Sequence, residues 1–178
     1  MKKSLSGLLI TGLLIVSVCV QAWEPDNTDK LELATAQAII NAKDKDPGMA
    51  SWFESAYAYA VFPRVGKGGI GIGGAYGKGI VIRGDTTVGT TSLSQVSIGL
   101  QLGGQVYAEY IMFKDKTAFD HFRRGNFEMG AQASAVALAA GASADANYDG
   151  GVAVFTIAEG GLMFEASISG QKFEYRDK

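Results

Sequence analysis

Two rhythms of hydrophobic and polar residues divide this chain. In DKLELATAQAIINAKDKDPG, from Asp29 to Gly48, the residues Leu31, Ala34, Ala38, Ile39 and Ala42 recur at helical spacing. Asp29 stands at the capping position, with Glu32 three residues on as its capping-box partner. Lys43 and Lys45 suit the negative end of the helix dipole, and Pro47-Gly48 stops the helix. MASWFESAYAYAVFP then reads as a shorter helix that passes into a strand ending at Pro63.

After Pro63 the period becomes two. Ile70, Ile72, Tyr76, Ile80 and Ile82 share one parity; Gly69, Gly71, Gly73, Ala75, Gly77, Gly79 and Val81 share the other. This predicts a strand pair with one bulky and one nearly bare face, bent near Gly73-Gly74 or Gly77. Gly84-Asp85 suits a two-residue hairpin turn. Val96, Ile98, Leu100, Leu102, Val106, Ala108, Tyr110 and Met112 also alternate, over a length that calls for a bend at Gly103-Gly104. KDKTAFDHFRRGN reads as a short helix closed by Gly125. Ala131–Ala146 is assigned to strand on its small/larger alternation, although alanine favours helix. Val152–Ala158 and Leu162–Ser169 read as a hairpin around Gly160-Gly161. The expected fold class is α+β, with N-terminal helices packed on a glycine-rich, mainly antiparallel β-sheet or partial barrel.

The front of the chain changes the picture. Lys2 and Lys3 precede an apolar run of 13 residues, Leu8–Val20, and then Val20-Gln21-Ala22. That is the layout of a secretory signal over residues 1–22, too short to span a bilayer comfortably. It leaves 23–178 as a single domain, exported to the periplasm or cell envelope. Cys19 offers a lipoprotein alternative, but Val18 stands where a lipobox takes a small residue, so plain cleavage is the reading adopted. Cleavage would remove the only cysteine, and with it any disulfide, thiolate metal site or cysteine nucleophile. Without Lys2 and Lys3 the formal charge goes from −2 to −4, which gives no general case for nucleic acid.

The segment FPRVGKGGIGIGGAYGKGIV carries the candidate chemistry. Eight of its fourteen residues from Gly66 to Gly79 are glycine. Each glycine in a strand costs roughly 0.5–1 kcal/mol against alanine, so a bare backbone must be needed there. A P-loop requires glycine five residues before the Gly-Lys pair and Ser or Thr after it; neither Gly66-Lys67 nor Gly77-Lys78 qualifies. A GxGxxG match at Gly66, Gly68 and Gly71 would have to open a helix, whereas the residues that follow alternate as a strand. Close approach, by packing or by a ligand, is the remaining reason for the glycines. Arg64, Lys67, Lys78 and Arg83 bracket the run, with no acidic residue between Phe62 and Arg83. A basic island beside free backbone N–H groups suits an anionic headgroup.

With VSIGLQLGGQVYAEYIMF and GLMFEASISGQKFEY, this segment resembles the SYLF domain, and the motifs recur in the same order over nearly the whole of 23–178. The resemblance implies a lipid-binding domain, phosphoinositide-binding in eukaryotic members with an amphipathic N-terminal segment contributing, and actin-binding in yeast members. The helix around Leu31–Ala42 corresponds to the N-terminal segment; Lys67 and Lys78 correspond to basic positions of the glycine motif. Three lysines against Asp29, Glu32, Asp44 and Asp46 make this helix a poor membrane inserter. Actin and phosphoinositides do not suit an exported bacterial protein, and abundant anionic phospholipid takes their place.

Catalysis finds little support. His121 is the only histidine, its neighbour Asp120 points elsewhere on a helix, and no GxSxG occurs. Glu109, Glu128, Glu159 and Glu165 have no sequence feature that pairs them. The expectation is a non-catalytic domain without metal or cofactor that binds anionic phospholipid peripherally through Lys67, Lys78, Arg64, Arg83 and the backbone of Gly68 and Gly69. The alternative is a structural or protein-binding envelope module whose glycine face serves internal packing alone.

Overall fold

The computed structural model describes residues 23–70, 72–98, 103–125, 127–130, 134–160 and 168–178. The expected leader, residues 1–22, lies outside them. Helices α1 (Lys30–Lys45) and α2 (Met49–Ser55) come first. Four long strands follow: β1 (Ala58–Ile70), β2 (Ile72–Arg83), β3 (Thr86–Ile98) and β4 (Gly103–Phe113). Then come α3 (Lys116–Arg123) and the short strands β5 (Phe127–Glu128) and β6 (Val136–Ala137). A 3₁₀ turn (Ala142–Asp145), β7 (Val152–Gly160) and β8 (Lys172–Asp177) complete the order. The strands form one sheet in the order β5-β8-β3-β2-β1-β4-β7-β6, antiparallel except for the β6–β7 pair, and the sheet curls into a half-barrel. The fold is α+β, as expected.

Both faces of the sheet are covered, which is why β1 lacks a simple apolar/polar alternation. On one face Tyr59, Val61, Ile80, Ile82, Tyr110 and Phe155 pack under α1 and α2. Ala38 and Ala42 are the contact residues of α1, and their small size lets the helix sit close to the strands. Tyr110 Oη donates to the carbonyl of Ala38 at 2.8 Å and ties helix to sheet inside the core. The N-cap forms as expected: Asp29 Oδ1 accepts from the N–H groups of Leu31 and Glu32. Glu32, however, reaches past the cap. Its buried carboxylate accepts from Asp26 N and from Lys178 Nζ, both at 2.7 Å, so it staples the two ends of the described chain together. On the other face Phe62, Val65, Leu93, Tyr107, Phe113 and Phe173 pack against α3, which contributes Phe119 and Phe122.

Several boundaries differ from the sequence reading. β1 does not stop at Pro63. Val61 pairs with Ile80, but the next pair is Arg64 with Lys78, so an extra residue bulges from β1 at Pro63. A bulge is where a strand tolerates a residue without an N–H. Gly73, Gly74 and Gly77 lie inside β2, paired on both sides, and β1 gives way to β2 between Ile70 and Ile72. The expected bend at Gly103-Gly104 is instead a break between two strands, β3 ending at Ile98 and β4 beginning at Gly103. Gly84-Asp85 makes the expected turn, Gly84 at φ 62°. Of Ala131–Ala146, Val136–Ala137 is strand and Ala142–Asp145 is 3₁₀; residues 131–133 lie outside the described set. Of the expected strand Leu162–Ser169, residues 162–167 also lie outside it, and Ile168 and Ser169 are not strand.

Candidate functional site

The bulge at Pro63 sets up the basic cluster. Arg64 and Lys78 become Cα partners across β1–β2, both exposed, on the face that carries α1. They line a groove of about 540 Å³ whose other wall is α1, through Lys30, Leu31, Ala34 and Gln37, and Glu159 stands at its edge. Lys78 and Leu31 also border an adjoining groove of about 490 Å³ that runs over β2, β3 and β8. There the register aligns Tyr76 with Ser94 and Lys172, Lys78 with Ser92 and Glu174, and Ile80 with Thr90 and Arg176. Among the described residues none of Lys30, Arg64, Lys78 and Arg176 makes an ion pair. Uncommitted cations beside a helix form a shallow channel suited to anions.

The other expected site residues lie elsewhere. Lys67, three residues from Arg64, falls on the opposite face of the sheet, half-buried between Ala75 and Gln105. Loss of solvent there lowers the pKa of its ammonium. Arg83 ends β2, five residues from Lys78 and thus about 17 Å along the strand. Gly68 pairs with Gly74 and Gly104, and Gly69 with Gly73 and Gly103, at the end of the sheet beyond the Arg64–Lys78 pair. Sequence reading missed Arg176, Glu174 and Lys30. The alternation in KFEYRDK puts Lys172, Glu174 and Arg176 on one face, but nothing local sets them beside Lys78.

The glycines separate into two kinds. A Cβ on Gly79 would stand 2.5 Å from Val61 O and 2.9 Å from Phe62 Cδ1, and one on Gly77 would stand 2.8 Å from Val65 Cγ2. These two are required by the β1 bulge pressing on β2. A Cβ on Gly66 would meet nothing within 4 Å, and Gly66 is exposed, so packing does not demand a glycine there. Among the aromatic residues near the grooves, Phe53 is core, Trp52 donates its indole N–H to Ser143 O at 3.1 Å, and Tyr76 is 55% exposed beside Lys78.

The remaining titratable groups sit apart. His121 is exposed, with its ring against Phe127 at 5.3 Å, and Asp120 is engaged by Lys116. Glu109 is sealed in the interior, Glu128 lies 3.8 Å from Lys172, and Glu165 is outside the described residues. Among the described residues no group of His, Cys, Asp and Glu is placed to hold a metal ion, and no helix is long and apolar enough to cross a membrane.

Residues 94–178 match the family model described as Ysc84, Las17-binding protein actin regulator. The chain is 31% identical over 137 residues to beta cell expansion factor A of Aeromonas veronii, an alignment covering 76% of this chain and 52% of that protein. The chain therefore spans about half the length of that relative. Glu174 and Arg176 fall within the family match, while Arg64 and Lys78 precede it. These matches place residues 94–178 of the chain in the Ysc84 family, the SYLF domains.

Proposed function

We propose that this protein is a non-catalytic, exported domain that binds anionic phospholipid headgroups peripherally at a membrane of the cell envelope. One observation carries the reading: Arg64 and Lys78, partners across β1–β2, are exposed and, among the described residues, free of ion pairs in the groove beside α1. A phosphodiester laid in that groove would take both cations, with the open backbone at Gly66 leaving room for close approach. Family membership supports a lipid- or actin-binding type, and the phosphate-directed cations favour lipid. The geometry also changes the roles expected from sequence. Arg64 and Lys78 are the primary contacts, joined by Lys30 and Arg176. Lys67 and Arg83 are too far from the groove to share the same headgroup.

Co-sedimentation of the protein with vesicles tests this. Wild type pellets with anionic vesicles, not with neutral ones, and the binding weakens as salt rises. The double change Arg64→Glu with Lys78→Glu lowers affinity by about 30-fold or more, since each surface cation is worth about 1 kcal/mol at an anionic membrane. Wild-type binding that ignores lipid charge would overturn the reading, and absence of vesicle binding would turn the search to protein partners in the envelope.

A further inference from the structure

We infer that the groove over β2, β3 and β8 reads the hydroxyls of the headgroup, so that the protein selects anionic phospholipids with a neutral polyol headgroup. This rests on the lipid reading above. The groove's floor is built by register: Lys78, Ser92 and Glu174 stand side by side on three adjacent strands, with Thr90 and Arg176 in the next row and Tyr76 and Ser94 on the other side. The hydroxyls of Thr90, Ser92 and Ser94 make no hydrogen bond among the described residues. Glu174, exposed, has no ion pair there. A surface made only to hold phosphate has no use for a carboxylate between two cations.

The charges decide which headgroup fits. A phosphodiester at Lys78 places the rest of its headgroup over Ser92, one strand spacing or about 5 Å away, facing the side chain of Glu174 on the next strand. A headgroup carboxylate there would meet the carboxylate of Glu174. A headgroup ammonium would gain Glu174 but stand among Lys78, Arg176 and Lys172. Neutral hydroxyls meet neither penalty. They donate to Glu174, a charge-assisted hydrogen bond, and exchange hydrogen bonds with the serine and threonine hydroxyls. The phenol of Tyr76 adds a further donor at the groove's border.

The test compares vesicles of equal anionic fraction containing either phosphatidylglycerol or phosphatidylserine, with the purified full-length protein as the cell processes it. Phosphatidylglycerol vesicles bind about tenfold tighter, the worth of one hydrogen bond to a charged group. Glu174→Gln closes the gap between the two vesicle types, and Ser92→Ala narrows it. Equal wild-type binding to both vesicle types, or a gap untouched by Glu174→Gln, overturns the inference while leaving the anionic-lipid reading intact. Failure to bind either vesicle overturns both.

Discussion

Gln171 donates its side-chain N–H to Glu109 Oε2 at 2.9 Å on the α3 face of the sheet, where neither residue has any exposed surface. The same amide nitrogen reaches Tyr107 Oη at 3.2 Å. Gln171 immediately precedes β8, so this contact joins the C-terminal strand to β4 through the interior. Glu109 Oε1 and Gln171 Oε1 have no hydrogen-bond partner among the described residues. A carboxylate in that setting is expensive, and burial pushes the Glu109 carboxyl up to about 8, with the Gln171 hydrogen bond pulling weakly the other way.

The sign of the pH dependence follows. A carboxyl with a raised folded pKa binds its proton more tightly in the folded than in the unfolded chain. Its contribution is fully present below the unfolded pKa, near 4.5, and is lost as pH rises toward 8. The loss is on the order of 5 kcal/mol at most. Thermal melts should therefore show wild type losing stability between about pH 5 and 8, and Glu109→Gln abolishing that slope. A wild-type melting temperature that is flat or rising across this range would refute the assignment.

Acid acts in the opposite direction at the other face. Asp46, 1% exposed, accepts from the backbone N–H groups of Ser143 at 2.7 Å and Gly48 at 3.0 Å, and these bonds hold its carboxyl below the usual range. Glu32 is also lowered: burial alone would raise it, but the hydrogen bonds from Asp26 N and Lys178 Nζ together outweigh that. Both contributions are present above the unfolded carboxylate pKa and are lost as pH falls through the folded values. Asp46→Ala should destabilise by about 1–3 kcal/mol in chemical denaturation at neutral pH, because the buried N–H of Ser143 and the part-buried N–H of Gly48 lose their acceptor. An unchanged denaturation midpoint would show that other groups satisfy them.

Glycine substitutions separate packing from exposure. Gly79→Ala drives a Cβ to 2.5 Å from Val61 O, a backbone atom that moves only with the bulge, and should cost about 1–3 kcal/mol. Gly66→Ala meets nothing within 4 Å and should stabilise by up to about 1 kcal/mol, since a strand glycine carries excess unfolded-state entropy. Paired thermal melts decide this; equal effects would mean that β2 does not need its glycines for the bulge.

What could be read from sequence was set by periodicity. α1, α3 and the alternation of β4 were legible because one buried stripe or face repeats over many residues. The β1–β2 boundary was not, because Ile70 and Ile72 continue the same parity across it without a polar turn. Pro63 looked like a strand end because a bulge leaves no local signature beyond the proline itself. The basic residues of the glycine segment were found, but not their grouping. Arg64 and Lys67 differ in parity, so alternation alone separates them by face, whereas Arg64 and Lys78 meet only once the hairpin register is known. Arg176 lies 98 residues beyond Lys78 in the chain, and only the β3–β8 pairing brings it to the same groove.

That regrouping gives the sharpest mutational contrast. Two double variants remove the same number of cations from the glycine segment, Arg64→Ala with Lys78→Ala, and Lys67→Ala with Arg83→Ala. If any cations of the segment served equally, a membrane would sense only net charge and both variants would weaken binding alike. If the α1 groove is the contact, the first pair loses about 1 kcal/mol per cation, on the order of 30-fold in affinity for anionic vesicles. In the second pair Lys67 is half-buried on the far face and Arg83 lies about 17 Å from Lys78, so that variant loses a few-fold at most. Co-sedimentation at two salt concentrations measures both: the first pair should also flatten the salt dependence, and the second should leave its slope close to wild type. The reverse order of the two variants would move the membrane contact to the Lys67 face of the sheet.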